Sequence, residues 1–397
     1  MNLMSTDIFI SGGGVAGLTA ACLFGSQGFS VTCVDPAPPI TERDVDGADL
    51  RSTAFLQPAI AVLEMAGVWH KLSSHAMGLE TMRIVDAGGT SGEVRATRDF
   101  NASDISDLPF GWNLPNWLIR RELVARLAEL SNVEFLPGTA CTKIFTRSAS
   151  AKLWLSDGTT REAQLVIAAD GRNSLIRDSM GIGVKTTRYG QKALAFAVTH
   201  PIPHDHVSTE IHRTGGPFTL VPLPDYDGKP SSAVVWMEKG PEAVRLHDLP
   251  EDAFNQEMSE RSCHLFGPLK LASQRTIWPI ISQLADRFSA ERVALIAEAA
   301  HVAPPIGAQG LNMSLTDLSE LLDLARLHPL GSKDMLDAYD RKRRLAVKAR
   351  VAGIDLLNRT SMSRATWIRD LRSAGIGAIH DAAPIRKSLM KLGLGSR

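Results

Sequence analysis

Asp7-Ile-Phe-Ile-Ser-Gly-Gly-Gly-Val-Ala-Gly-Leu-Thr-Ala-Ala-Cys-Leu-Phe-Gly-Ser-Gln-Gly-Phe-Ser-Val-Thr-Cys-Val-Asp35 is the stretch on which the fold turns. Ile8 to Ile10 is a short apolar run of strand character, and Val15 to Gln27 is small and apolar with helical spacing. Gly28 ends that helix and Ser30 to Val34 forms a second strand, so the chain opens as a βαβ unit. This opening predicts an α/β fold on a doubly wound, Rossmann-like sheet. Between the first strand and the helix stands Gly12-x-Gly14-x-x-Gly17. Glycines suit a tight turn where a diphosphate approaches the backbone at a helix N-terminus and its anionic oxygens meet free N–H groups. Alone this spacing is a weak sign, because glycine-rich turns are common. Asp35 ends the second strand eighteen positions after Gly17, where a carboxylate can accept both hydroxyls of an adenosine ribose. Strand, turn, helix and acid together point to a dinucleotide, and an acid at position 35 argues against a 2′-phosphate there.

Outward from this unit, Arg120 to Leu130 has an amphipathic helical pattern with Leu123, Leu127 and Leu130 on one side. Lys152 to Leu155, Asp157-Gly158 and Leu165 to Ala169 read as a hairpin followed by a buried strand. From about Lys185 to Ile280, runs such as Ala193–Val198, Phe218–Val221 and Ala233–Trp236 alternate with Pro/Gly/Asp turns, as in an inserted antiparallel sheet. Val293 to Ile296 is again a buried strand, leading into a Gly/Pro-rich loop and a helix from about Ser314 to Leu327. The expected division is 1–184 and 281–340 as two parts of a nucleotide-binding domain, 185–280 as a substrate-binding sheet domain, and 341–397 as a basic helical region.

Forty-three Lys+Arg balance forty-three Asp+Glu, so no overall field marks a nucleic-acid binder. The balance fails only in the tail, where residues 341–397 carry fourteen Lys/Arg against Asp355, Asp370 and Asp381. The four cysteines are scattered without metal-ligand spacing, so no metal site is expected and free thiols fit a reducing cytoplasm. The N-terminal run lacks a basic n-region and is broken by glycines, unlike a secretory signal, and no uncharged run reaches the length of a membrane span.

Two further motifs carry chemistry. Asp170-Gly171-Arg172-Asn173-Ser174 ends the Leu165–Ala169 strand, where Asp-Gly is also a common turn. Ala299-Ala-His-Val-Ala-Pro-Pro-Ile-Gly-Ala-Gln-Gly-Leu-Asn312 leads into the late helix. Pro304-Pro305 stiffens this loop, while Gly307 and Gly310 let backbone amides lie against a flat ligand; a tight structural loop is the bland alternative.

In this order and spacing the three motifs resemble the class A flavoprotein monooxygenases, the para-hydroxybenzoate hydroxylase-like group, and within it the ubiquinone-biosynthesis hydroxylases. The resemblance spans essentially the whole chain, including Asp49-Leu-Arg-Ser-Thr-Ala54 and Pro217-Phe-Thr-Leu-Val-Pro-Leu223. It implies a Rossmann-like FAD-binding domain and an FAD-dependent hydroxylase of a phenolic ring. Such an enzyme takes electrons from NAD(P)H and oxygen from O₂, acting through a flavin C4a-hydroperoxide. By the same resemblance Gly12, Gly14 and Gly17 would cradle the FAD pyrophosphate, Asp35 would hold the adenosine ribose and Arg51 would lie over the pyrophosphate. Arg120 would reach the flavin side, and Asp170 and Gly171 would serve FAD and the nicotinamide nucleotide. Gly307, Gly310, Leu311 and Asn312 would pack on the isoalloxazine, and the Pro305 carbonyl would face the substrate hydroxyl.

The chain departs from that family at the third motif. Ala297-Glu298 stands where Gly-Asp is usual, so Glu298 would reach for the ribityl hydroxyls with one more methylene. A tolerated variant with a shifted backbone and a weakened FAD site are both open. His301 reads as a structural hydrogen-bonder in preference to a base. The basic tail beside Trp367, Ile368 and Leu371 is either solvated surface, a peripheral contact with an anionic membrane carrying prenylated substrate, or a partner surface. Rival readings are a hydroxylase of a soluble aromatic acid, an isoprenoid reductase of the same fold, and a non-catalytic flavoprotein subunit of a quinone-biosynthesis complex. A disulfide reductase is disfavoured, because there is no CxxC pair.

Overall fold

The computed structural model describes residues 4–43, 45–49, 51–88, 93–213, 215–362, 377 and 380–394. Met4–Ser11 lies at the centre of the first sheet, parallel to Val31–Asp35 on one side and Thr160–Ala168 on the other. Val133–Pro137 and Val293–Leu295 extend the parallel array outward. Strands buried on both faces need apolar residues throughout, and Ile8, Phe9, Ile10, Val34, Val166 and Ile167 are all fully buried. Helix Val15–Ser26 is buried along most of its length, which is why its sequence is small and apolar all round.

This topology places four sequence features at the carboxyl ends of neighbouring strands. Ser11 runs into Gly12, Asp35 ends its strand, Ala168 precedes Asp170, and Leu295 precedes Ala297. Ligands of open parallel sheets bind in that crevice, at the point where strand order switches direction.

The second sheet has nine strands and two unlike faces. Leu194, Phe196, Phe218 and Trp236 pack with Phe254 and Leu246, beneath helices Gly240–Asp248 and Glu251–Arg261. Ala193, Met237 and Ile280 point the other way, against Ile306 of the Pro/Gly loop and Ile354 of helix Lys333–Met362. A small sheet of Ser52–Leu56, Met77–Leu79 and Gly111–Pro115 completes the scaffold.

Two expectations need correction. The second sheet is not confined to 185–280. Thr81–Ala87 pairs in parallel with Val207–His212 and in antiparallel with Val94–Asn101, and Thr276–Ala285 and His301–Val302 extend the other edge. Charged Arg83, Arg95 and Arg98 hid the 81–101 hairpin, because an edge hairpin lacks the apolar runs of central strands. The late helix spans Gln309–Leu327 and starts five residues before Ser314. Gly310 made its first turn look like loop.

All four cysteines are unpaired. Among the described residues no helix is long and apolar enough to cross a membrane. The tail forms helices Lys333–Met362 and Ala383–Leu394. Trp367, Ile368 and Leu371 lie outside the described residues.

Candidate functional site

The glycine turn is held by backbone against backbone. A Cβ on Gly12 would overlap the Ala169 carbonyl, and Gly12 has φ +110° besides. A Cβ on Gly17 would overlap the Gly12 carbonyl. A Cβ on Gly14, by contrast, would meet nothing within 4 Å, so this side of its backbone faces open space. Gly14 is the N-cap of helix Val15–Ser26, and neither a capping side chain nor an acidic residue occupies that first turn. Its first amides are therefore available to an anion. Asp35 closes the far side: its Oδ2 accepts from the Gly13 amide at 2.6 Å and its Oδ1 from the Ala37 amide at 2.8 Å.

Asp170 stands across the crevice at the end of the neighbouring strand. Its Oδ2 accepts from the Ile176 amide at 3.2 Å, but Oδ1 is buried with no hydrogen-bond partner among the described residues. Burial pushes this carboxyl up, against the opposing pull of the Ser174 hydroxyl and the Ile176 amide. Gly171 next to it has φ +81° and open space where a side chain would be. Buried acceptors are rarely left unmet, so the Oδ1 of Asp170 is a place for a ligand hydroxyl.

Arg51 and Arg120 converge on Asp49. Arg51 forms a bidentate pair with it at 2.7 Å on both oxygens, Arg120 Nη2 reaches Oδ2 at 3.3 Å, and the Asn116 amide donates to Oδ2 at 3.0 Å. Burial opposes the charge on Asp49, yet the Arg51 and Asn116 hydrogen bonds and the Arg120 charge hold its carboxyl below the usual range. Asp49 and Asn116 thus fix two arginines that the sequence singled out, and neither was foreseen in that role. The Ser-Thr that follow Arg51 belong to a strand, with Thr53 donating to Asn116 Oδ1 at 2.8 Å.

Glu298 is half in solvent and pairs with Arg172 at 3.3 Å. An ion pair this exposed contributes little. The residue before it, Ala297, has φ +52°, in the left-handed region where a Cβ costs about 1–2 kcal/mol. The backbone thus keeps the conformation a glycine would favour although the side chain has changed.

The Pro/Gly loop ends at a second uncapped helix start. Ala308, with φ +56°, is the N-cap of Gln309–Leu327, and again neither a capping side chain nor an acidic residue is present in that turn. Pro305 is half-buried between buried Pro304 and Ile306, Gly307 has φ +63°, and Gly310 faces open space. Leu311 is half-buried and packs on the first sheet's core. Asn312 is buried, and its side chain ties the helix to strand Ser52–Leu56. Its Nδ2 donates to the Ala54 carbonyl at 2.7 Å, and its Oδ1 accepts from the Leu56 amide at 2.8 Å. Behind the loop, His301 Nε2 lies 2.6 Å from Asp317 Oδ2, and Arg343 Nε donates to Asp317 Oδ1 at 2.7 Å. Burial works against the Asp317 charge, but His301 and Arg343 hold the carboxyl below its ordinary value. Buried, with its Nε2 paired to Asp317 inside the core, His301 fits the structural hydrogen-bonder its sequence context suggested.

An uncapped helix N-terminus, an unmet buried carboxylate oxygen and glycines with room for a ligand lie at the carboxyl ends of neighbouring strands. A second uncapped helix start follows the Pro/Gly loop, and this donor set suits FAD. The profile of the FAD-binding domain family matches residues 5–353. The chain is an FAD-dependent monooxygenase of that family. It is 31% identical to the ubiquinone hydroxylase UbiL of Rhodospirillum rubrum over 98% of this chain and 90% of that one. It is 24% identical to the 3-demethoxyubiquinol 3-hydroxylase of Escherichia coli over the full length of both. It therefore belongs among the ubiquinone-biosynthesis hydroxylases. Among solved structures, p-nitrophenol 4-monooxygenase PnpA of Pseudomonas putida superposes with a TM-score of 0.80 over the whole of both chains at 20% identity, a likeness of fold.

Beside the Asp170-Gly171 turn lies a cavity of about 520 Å³ lined by Arg172, Arg188, Lys192 and Gln283, with Pro279 and Ile280 as its apolar wall. Periodicity gave no sign of it, because its residues come from four separated segments. Asn113 was missed for the same reason: it is buried, donates to the Pro222 carbonyl at 2.8 Å, and leaves its own Oδ1 unmet among the described residues.

Proposed function

We propose that this protein hydroxylates the phenolic ring of a polyprenylated ubiquinone precursor, with NAD(P)H as the electron donor. The observation that carries the reading is a pair of uncapped helix starts in a chain similar along its whole length to ubiquinone hydroxylases. Bound FAD supplies the redox chemistry and the activation of dioxygen. Gly12, Gly14 and Gly17 hold its pyrophosphate against the first helix, with Asp35 on the adenosine ribose and Arg51 over the phosphates. Arg120 steadies the flavin side through Asp49, Asp170 and Gly171 serve the cofactor and the nicotinamide nucleotide, and Glu298, exposed beside Arg172, takes the ribityl role. Gly307, Gly310, Leu311 and Asn312 meet the isoalloxazine edge, and the Pro305 carbonyl polarises the ring hydroxyl of the substrate. Ile306, Met237 and Ile354 keep water from the reacting ring. The basic cavity at Arg172, Arg188 and Lys192 suits the phosphates of the nicotinamide nucleotide.

The same reading puts the enzyme at the inner face of the cytoplasmic membrane. Ile385, Leu389 and Leu392 are exposed along one side of helix Ala383–Leu394, and the tail is basic. Sedimentation with vesicles should increase with anionic lipid content and fall with salt.

Mass spectrometry of quinones in a strain lacking this gene tests the substrate. Accumulation of an under-hydroxylated prenylphenol with loss of ubiquinone is expected. An unchanged profile would remove the quinone assignment and move the search to soluble aromatic acids.

A further inference from the structure

The face of the second sheet that meets the flavin loop carries a buried acid–base pair. Cross-strand neighbours share a face, and the register fixes which one. Glu210 pairs with Thr219, Thr219 with Val235, and Val235 with Ala195, while His212 stands two residues along from Glu210. Val235 packs in the cluster of Met237, Ala193 and Ile306, so Glu210 and His212 point to the flavin-loop side. Ile211 between them points the other way, into the core beneath helices Gly240–Asp248 and Glu251–Arg261. Two strand spacings, about 10 Å, separate Glu210 from Val235.

The pair is 7% and 8% exposed, and His212 Nε2 lies 2.8 Å from Glu210 Oε1. The other ring nitrogen, Nδ1, is buried and has no hydrogen-bond partner among the described residues. Glu210 accepts from Nε2–H, so a neutral imidazole keeps its lone pair on Nδ1. Other charges near the pair are Asp86, the register partner of His212, and Arg98, opposite Ile84 on the strand beyond. Arg95 lies 3.6 Å from Asp86, and Arg261 binds the Ile211 and Gly216 carbonyls from behind. Acids and bases both surround the pair, while its one unmet polar atom is an acceptor on the face that carries the substrate in the hydroxylase reading.

We propose that Glu210 and His212 form the subsite that reads a hydroxyl substituent on the substrate ring, with Nδ1 as its acceptor. The inference rests on the hydroxylase reading. The ring O–H bond is the one that breaks and Nδ1–H the one that forms, its electron pair staying on the ring oxygen. Glu210 holds the resulting imidazolium in place. This selects a ring hydroxyl over its methyl ether, because an ether brings no proton to a buried lone pair.

The FAD-loaded protein can be titrated with 4-nitrophenol, whose phenolate is coloured, and with its methyl ether 4-nitroanisole. The wild type should prefer the phenol about tenfold or more and show phenolate colour below the free phenol's own titration. His212→Gln keeps a donor to Glu210 and removes the acceptor at Nδ1, so preference and colour should both disappear with FAD content unchanged. His212→Asn, which restores an acceptor near Nδ1, should recover part of the preference. Wild-type preference and colour in His212→Gln would overturn the subsite and leave the hydroxylase reading standing. Failure of the wild-type holoprotein to bind either compound would overturn the subsite, and a normal quinone profile in the deletion strain would then overturn the reading as well.

Discussion

The two helix starts proposed to hold the flavin are made of different material. At Gly12–Gly17 the shape is set by backbone in contact with backbone: glycines are required because carbonyls occupy the space a Cβ would take. At Ala308–Asn312 the shape is set by side chains reaching across the fold, with Asn312 bonded to a strand 256 and 258 residues earlier in sequence. At the first end Gly12 and Gly17 leave no room for a side chain. The second depends on a side chain, and its loop follows Ala297-Glu298, where the sequence resemblance leads one to expect Gly-Asp.

Gly17→Ala should show the largest effect. Its methyl overlaps the Gly12 carbonyl, so the apoprotein should lose about 3 kcal/mol and be purified without FAD. Gly14→Ala places the same methyl in open space. Its apoprotein Tm should match the wild type while FAD binds about tenfold more weakly, a difference of about 1.4 kcal/mol. Equal loss of Tm in the two variants would erase the distinction between shape and ligand contact at this end.

Asn312→Ala comes next. It strips the Ala54 carbonyl and the Leu56 amide of a buried partner, which should cost about 2–3 kcal/mol. FAD should still bind, with its isoalloxazine fluorescence less quenched and more polarisable by solvent. A flavin spectrum and Tm identical to wild type would show that the second end does not depend on this side chain.

Asp170→Asn separates stability from binding. Burial raises the Asp170 carboxyl in the folded state, so the ionised form costs stability, and that cost grows as pH rises from the unfolded value of about 3.9 through the folded one. The Asn variant should therefore have an apoprotein Tm at pH 7 at or above the wild type, with a flatter pH profile in that window, yet weaker FAD binding. A lower Tm with unchanged FAD affinity would make Asp170 a structural residue.

Ala297→Gly should have the smallest effect: relief of the left-handed alanine, worth about 1–2 kcal/mol, is partly offset by the greater freedom glycine gives the unfolded chain. Thermal melting should show a slightly raised Tm, and FAD affinity should hold or improve. A lowered Tm would mean that the Ala297 methyl makes contacts that outweigh the strain.

How legible each part was follows from the same contrast. The βαβ opening, Asp35, the Asp170 strand end and the late strand at Val293 were readable because each is local, with apolar runs between glycines and acids. The crevice itself also followed, because parallel strands bring their carboxyl ends together. The 81–101 hairpin was not readable, since an edge hairpin with alternating charge looks like loop. Asp49, Asn116 and Asn113 escaped for another reason: polar residues scattered over sixty positions reveal a role only when the fold brings them together. Glu210 and His212 sit in a strand that reads as ordinary alternation, and only the register shows which face they occupy.

The most direct test of the oxygen-transfer claim is turnover of the FAD-loaded protein with NAD(P)H, a prenylphenol and isotopically heavy dioxygen, with the product read by mass spectrometry. One labelled oxygen on the ring, dependent on bound flavin, is the expected result. Label found only in hydrogen peroxide, with the ring untouched at every prenylphenol tried, would contradict it.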